Sequence, residues 1–159
     1  MTERILFVCM GNICRSPTAK GVFDRALSRA GIDFASESAG THDYHIGKPP
    51  DRRAIAAAMA AGIDISTDCS RQVLAKDFMR FSRIFPMDRS NLERLERLRP
   101  AESTARLQLV MELAPDYGLD EVPDPYYGGD SGFVQVIEML EMAAETLVQE
   151  LRDQQQRAD

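Results

Sequence analysis

Four consecutive apolar residues, Ile5-Leu6-Phe7-Val8, run directly into Cys9-Met10-Gly11-Asn12-Ile13-Cys14-Arg15-Ser16-Pro17. The run has the length and character of a buried strand. Pro17 and the Ala, Val, Phe and Leu pattern behind it open a helix. A buried strand turning through a tight loop straight into a helix is the first unit of an α/β sheet, which leaves few folds open. The loop between them is also an anion cradle. Successive backbone N–H groups in such a turn, continued by the free N–H groups of the first helical turn, can converge on a phosphate-like dianion.

The residues of the loop suit that task and add a nucleophile. Gly11 and Asn12 tolerate the left-handed conformations a nest requires. The field that favours phosphate also favours a thiolate at Cys9. Arg15 offers a planar fork that can hold two equatorial phosphate oxygens at once, which a lysine cannot do. Ser16 can donate its hydroxyl to the Cys9 sulfur and help the thiolate leave. A strand ending in Cys can equally be a small buried hydrophobe, and a bare Cys-x5-Arg spacing says little alone. Here the strand, the Gly and Asn, and the Ser-Pro helix start accompany it. No Gly-Lys-Ser/Thr follows, so this is not a Walker loop.

A second constellation lies far along the chain, in Asp124-Pro125-Tyr126-Tyr127-Gly128-Gly129. Pro125 fixes the loop and keeps Asp124 out of helical geometry. Cleaving a phosphate ester calls for an acid at the leaving oxygen, and a loop carboxyl is a natural candidate. Tyr126 and Tyr127 can line a slot for an aromatic ring. Asp-Pro and Gly-Gly are also ordinary turn signals; the cysteine loop is what turns the reading toward chemistry.

Together the two loops resemble those of the low-molecular-weight protein tyrosine phosphatases, with the cysteine near the N-terminus and the acid near the C-terminus. The resemblance covers nearly the whole chain. It implies a phosphocysteine on Cys9, phosphoryl binding by Arg15, a loop shaped by Asn12 and assisted by Ser16, and Asp124 as general acid and then base. It implies that Ser38, in Ser38-Ala39-Gly40-Thr41, hydrogen-bonds Asn12. Met10, Tyr44 and Tyr126 would form pocket walls, with Gly11, Ile13, Cys14 and Tyr127 also at the substrate. Cys14 would trap Cys9 in a reversible disulfide under oxidation. Two positions depart from the family pattern: Asp68 stands where many relatives carry His, which questions that support of the loop, and Pro86 should end or bulge its strand.

Strand and helix patterns alternate along the rest of the chain. Strands are expected at 5–8, 34–38, 83–85 and 107–113, and helices at 18–30, 51–61, 75–80 and 91–99, the last capped by Asp88. The final helix carries an apolar stripe of Phe133, Val136, Ile137, Leu140, Ala144, Leu147, Val148 and Leu151. Met139 to Met142 read as core packing, and the polar tail, 154–159, is expected to fray. This alternation predicts a parallel sheet with helices on both faces. The resemblance supplies a flavodoxin-like three-layer sandwich with four strands in the order 2-1-3-4. In such sheets ligands bind at the carboxyl ends of strands where the order reverses, which is where the Cys9 loop lies. The whole chain, 1–159, reads as one domain.

Composition narrows the function. A net charge of −6 argues against nucleic acid. No apolar run approaches the ~18 residues of a membrane span, and without a basic stretch before a long apolar segment no secretory signal is expected. Three cysteines do not make a disulfide framework, so a reduced cytoplasm is expected. His42 and His45 lack a ligand set, and no metal or cofactor is expected. Arg52 and Arg53 read as a solvated helix face and Cys69 as structural. The leading reading is phosphotyrosine hydrolysis, with tyrosine-phosphorylated proteins as partners and phosphate or other oxyanions in the loop. Arsenate reduction needs a further cysteine pair, and only Cys69 is available. Phosphoarginine hydrolysis goes, by resemblance, with Thr where this chain has Ile13. A phosphotyrosine-binding module without turnover would not need Cys9, Arg15 and Asp124 together.

Overall fold

The structure, a computed structural model, describes residues 2–126 and 128–158. Strand β1, Glu3–Cys9, is fully buried from Ile5 onward. Its side chains alternate between two cores. Ile5, Phe7 and Cys9 pack with residues of the helices α1 (Arg15–Arg29), α2 (Arg52–Ala60) and α5 (Asp130–Ala158). Leu6 and Val8 face a second core with Phe78 of α3 (Asp77–Arg80) and Leu95 of α4 (Arg89–Leu98). A period of two on a strand buried on both sides therefore sets the three layers. Strands β2 (Phe34–Gly40), β3 (Arg83–Pro86) and β4 (Arg106–Leu107) complete a parallel sheet in the order β2-β1-β3-β4.

The rings of Phe7, Phe23 and Phe85 meet at centroid distances of 4.8, 5.8 and 6.1 Å and join β1, α1 and β3. Removing one such ring from a core costs about 3–5 kcal/mol. The elements that carry the Cys9 loop are thus joined by three fully buried rings.

The fourth strand is shorter than the sequence pattern suggests, and Pro86 explains part of it. The Met87 N–H donates to Val8 O at 3.0 Å and the Gln108 N–H to Ile84 O at 3.2 Å. By the alternation of a parallel ladder, the nitrogen of residue 86 faces β4, where proline has no donor. Pairing with β4 stops accordingly at Ile84 and Leu107. Beyond Gln108 the apolar run winds into a 3-10 helix, Val110–Leu113, whose Val110, Met111 and Leu113 enter the α5-side core. A short apolar run fits a strand or a buried turn of helix equally well, and burial decided.

Other elements shift by a few residues. Helix α1 begins at Arg15 rather than 18, because Pro17 lacks an N–H that the first turn would leave unpaired anyway. The last helix continues to Ala158, through the segment expected to fray; its Gln, Arg and Ala are good helix formers. Met139 is buried but Met142 is exposed, one turn-third away from the stripe. Cys69, read as structural, is exposed.

Candidate active site

The loop from Cys9 to Arg15 closes around the sulfur of Cys9. The Asn12 N–H donates to Cys9 Sγ at 3.2 Å, and Ser16 Oγ lies 3.0 Å from the same sulfur. Asn12 is the one described non-glycine residue with positive φ, at 59°. Its side chain holds that conformation from three sides. The Nδ2 group donates to Ser16 Oγ at 2.7 Å and Ser38 Oγ at 2.9 Å, and Oδ1 accepts the Arg71 N–H at 3.0 Å. The Ser38 contact implied by resemblance is therefore present. Among the described residues, no acceptor takes the N–H groups of Gly11, Ile13 or Cys14, and no side chain caps α1. Unpaired amides at a helix N-terminus are what an anion binds.

Gly11 does not adopt positive φ. Space explains it instead: a Cβ there would lie 3.0 Å from His45 Cδ2. Gly40 is tighter still, since its Cβ would meet Met10 O at 2.8 Å where β2 passes under the loop. Nor does Asp68 replace a histidine's support. The Ser70 hydroxyl donates to Gly11 O at 3.1 Å, and with the Arg71 amide it braces the loop. The carboxyl of Asp68 is held above its ordinary range by burial and by nearby Asp24 and Asp64, against the pull of Lys20.

Arg15 is 3% exposed and anchored from the far side of the cleft. Its Nη1 donates to Asp88 Oδ2 at 2.7 Å and to Val122 O at 3.0 Å, and its Nη2 lies 3.9 Å from Asp124 Oδ2. Burial works against this charge, but the Cys9 sulfur, Asp88 and Asp124 outweigh it and raise the guanidinium above its usual value. Asp88 serves twice, since its Oδ1 accepts the Asn91 N–H and caps α4.

Cys9, Met10, Gly11, Ile13, Cys14, Arg15, Tyr44, His45, Asp124 and Tyr126 line one cleft of about 310 Å³. It opens at the carboxyl end of β1, beside the strand-order reversal. The family model described as low molecular weight phosphotyrosine protein phosphatase matches residues 4–157. The chain belongs to that family. A low molecular weight phosphotyrosine protein phosphatase of Schizosaccharomyces pombe is 40% identical over 133 residues, 82% of this chain and 85% of the relative. The crystal structure of a protein tyrosine phosphatase from Entamoeba histolytica superposes with a TM-score of 0.92 at 35% identity, covering 97% of this chain and 99% of that one. A Drosophila arginine phosphatase superposes with a TM-score of 0.87 at 28% identity, covering 92% and 96%.

Against this family, the residues singled out from sequence divide cleanly. Cys9, Arg15 and Asp124 come together, with Met10, Gly11, Ile13, Cys14, Tyr44 and Tyr126 as walls; Asn12, Ser16 and Ser38 brace them. Tyr127 lies outside the described residues. Four residues were not recognised as part of the site. Asp88 carried only a capping signal, and His45 only a negative one as a metal ligand. Asp51 was seen only as a helix start, and Arg53 as solvated. Asp51 donates its N–H to Ile13 O at 2.8 Å, and Arg53 reaches Tyr126 O at 2.7 Å.

Proposed function

We propose that the chain hydrolyses phosphotyrosine in proteins through a phosphocysteine formed on Cys9. The observation that carries this reading is a single sulfur that accepts the Asn12 N–H, faces Ser16, and shares one cleft with Arg15 and Asp124. The Nη1 of Arg15 is committed to Asp88 and Val122, which leaves the Nε–Nη2 edge for two phosphoryl oxygens. The loop amides take the remaining charge. Cys9 attacks phosphorus, the bond from phosphorus to the tyrosyl oxygen breaks, and Asp124 delivers its proton to that oxygen. Asp124, now a carboxylate, removes a proton from water. That water attacks the phosphocysteine, the phosphorus–sulfur bond breaks, and Ser16 steadies the departing thiolate. Phosphate leaves, and both groups regain their starting states. Tyr44, Tyr126, Met10 and Ile13 give the cleft apolar walls that an aryl ring fills and a short phosphoserine does not.

Rapid quenching of a reaction with an aryl phosphate, followed by peptide mass spectrometry, tests the intermediate. The expected result is one added phosphoryl group on the peptide carrying Cys9; a phosphorylated peptide elsewhere, or none during steady turnover, would overturn it. Asp124→Ala is predicted to lower kcat/KM for phenyl phosphate by on the order of 10²–10³-fold. The loss should be much smaller for 4-nitrophenyl phosphate, whose leaving group needs little protonation. Equal losses on both would argue against proton delivery.

The Cys14 thiol is pushed up to about 12, by burial first and then by Asp51, Cys9 and Asp124. It is therefore neutral near pH 7 and does not compete as nucleophile. Its place in the loop supports a protective role. Peroxide converts Cys9 to a sulfenic acid, which condenses with the Cys14 thiol to a disulfide with loss of water. Wild type inactivated by mild peroxide should recover with dithiothreitol, and Cys14→Ala should recover far less. Equal recovery would remove the disulfide from the account. A nucleophilic thiol requires a reducing compartment, so we assign the protein to the cytoplasm; no described helix is long and apolar enough to cross a membrane.

A further inference from the structure

The acid loop runs from Val122 to the start of α5. Among its described residues only Val122 and Pro125 are buried, and its carboxylate must meet a leaving oxygen within hydrogen-bonding distance. A neighbouring helix supplies the anchor. Asp51 caps α2 by accepting the Arg53 N–H at 2.8 Å. The Arg53 side chain then returns to the same carboxylate, with Nε 3.1 Å from Oδ1 and Nη2 3.2 Å from Oδ2. This doubled contact lowers the Asp51 carboxyl below its usual range, the side-chain hydrogen bond from Arg53 being the main cause.

The other edge of the guanidinium reaches the acid loop. Its Nη2 donates to Tyr126 O at 2.7 Å and its Nη1 to Gly128 O at 3.4 Å. The plane sits 5.5 Å from the Tyr126 ring centre and 4.9 Å from that of Phe133, the first apolar residue of α5. Tyr126 in turn donates its N–H to Asp124 Oδ1 at 3.0 Å. At the opposite end, the Asp51 N–H holds Ile13 O, inside the phosphate loop. A continuous chain of contacts therefore runs from Ile13 through Asp51, Arg53 and Tyr126 to Asp124. It spans the two loops whose separation decides whether the acid meets the leaving group. A lysine could meet one carbonyl or the carboxylate, but it has no fork to hold both.

We infer that Arg53 is a positioning residue that registers the general-acid loop on the phosphate loop. The inference rests on Asp124 being the general acid. Arg53 does not line the cleft that holds the Cys9 sulfur. Its loss should leave phosphate binding alone and weaken proton delivery.

The test compares wild type, Arg53→Ala, Arg53→Lys, Asp124→Ala and the double variant Arg53→Ala/Asp124→Ala. Each is measured for kcat/KM on phenyl and 4-nitrophenyl phosphates and for inhibition by inorganic phosphate. Arg53→Ala is expected to lose about ten- to a hundredfold on phenyl phosphate, since small displacements of a catalytic group cost that much. It should lose severalfold less on 4-nitrophenyl phosphate, with the phosphate inhibition constant unchanged. Arg53→Lys should recover little. In the Asp124→Ala background, removing Arg53 should cost almost nothing more, because both changes remove one function. Three results would overturn the inference: equal losses on both substrates, full recovery with lysine, or a fully additive loss in the double variant. If Asp124→Ala itself shows no dependence on the leaving group, the acid assignment fails and takes this inference with it. If Asp124→Ala shows it and Arg53→Ala does not, only the inference fails.

Discussion

Cys9→Ser is expected to abolish turnover, by on the order of 10⁵-fold, while phosphate binding persists. The reason is local. Serine has nearly the shape of cysteine, so the Asn12 amide and Ser16 hydroxyl keep their partner. The amides of Gly11, Ile13 and Cys14, which have no acceptor among the described residues, and the buried Arg15 are untouched, and these are the groups proposed to bind the dianion. What is lost is the nucleophile, because a serine hydroxyl is far less acidic than a thiol and, among the described residues, no base hydrogen-bonds this position. Steady-state rates with an aryl phosphate, set beside phosphate binding by calorimetry, separate the two effects. Appreciable residual turnover would remove Cys9 as nucleophile. Loss of phosphate binding together with turnover would mean that the sulfur shapes the cradle rather than attacks.

Arg15→Lys is predicted to reduce kcat/KM by on the order of 10³-fold although the charge is kept. The guanidinium divides its work between two edges. One is fixed to Asp88 and Val122, at 2.7 and 3.0 Å, and the other is left for the phosphoryl oxygens. An ammonium group can pair with Asp88 or with phosphate, but it cannot span both with planar geometry. The transition state, with charge spread over equatorial oxygens, should suffer more than the ground state. Phosphate inhibition is therefore expected to weaken far less than kcat/KM falls. Parallel losses in the two measurements would show that Arg15 contributes ground-state binding alone.

How much of this site could be read from the chain follows from where its parts lie. The strand, the loop and the first turn of α1 are contiguous, and each residue's chemistry favours the same anion, so Cys9 to Ser16 stood out as a unit. Asp124-Pro125 was legible because proline fixes a loop and the cysteine loop calls for an acid at the leaving oxygen. Asp88 was hidden by its own correct reading. Its Oδ1 caps α4, as the sequence predicts, and nothing local reveals that Oδ2 meets Arg15, 73 residues earlier. Arg53 looked solvated because its partners, Tyr126 and Gly128, are more than seventy residues away. Asn12 was assigned a left-handed backbone and has one, whereas Gly11 was assigned the same and does not; its small size answers to His45, a neighbour no pattern announces. The sheet tells the same story. Strands β1 to β3 follow the apolar pattern, but the 107–113 run met a proline on its partner strand and turned into the other core.

The central claim is that this cleft hydrolyses phosphotyrosine using Cys9. The most direct measurement is phosphate release from a phosphotyrosine peptide, a phosphoserine peptide and phosphoarginine, with reduced wild type beside Cys9→Ser. Release from the phosphotyrosine peptide alone, absent in the variant, is the predicted result. Preferred release from phosphoarginine, equal release from phosphoserine, or release that survives Cys9→Ser would contradict it.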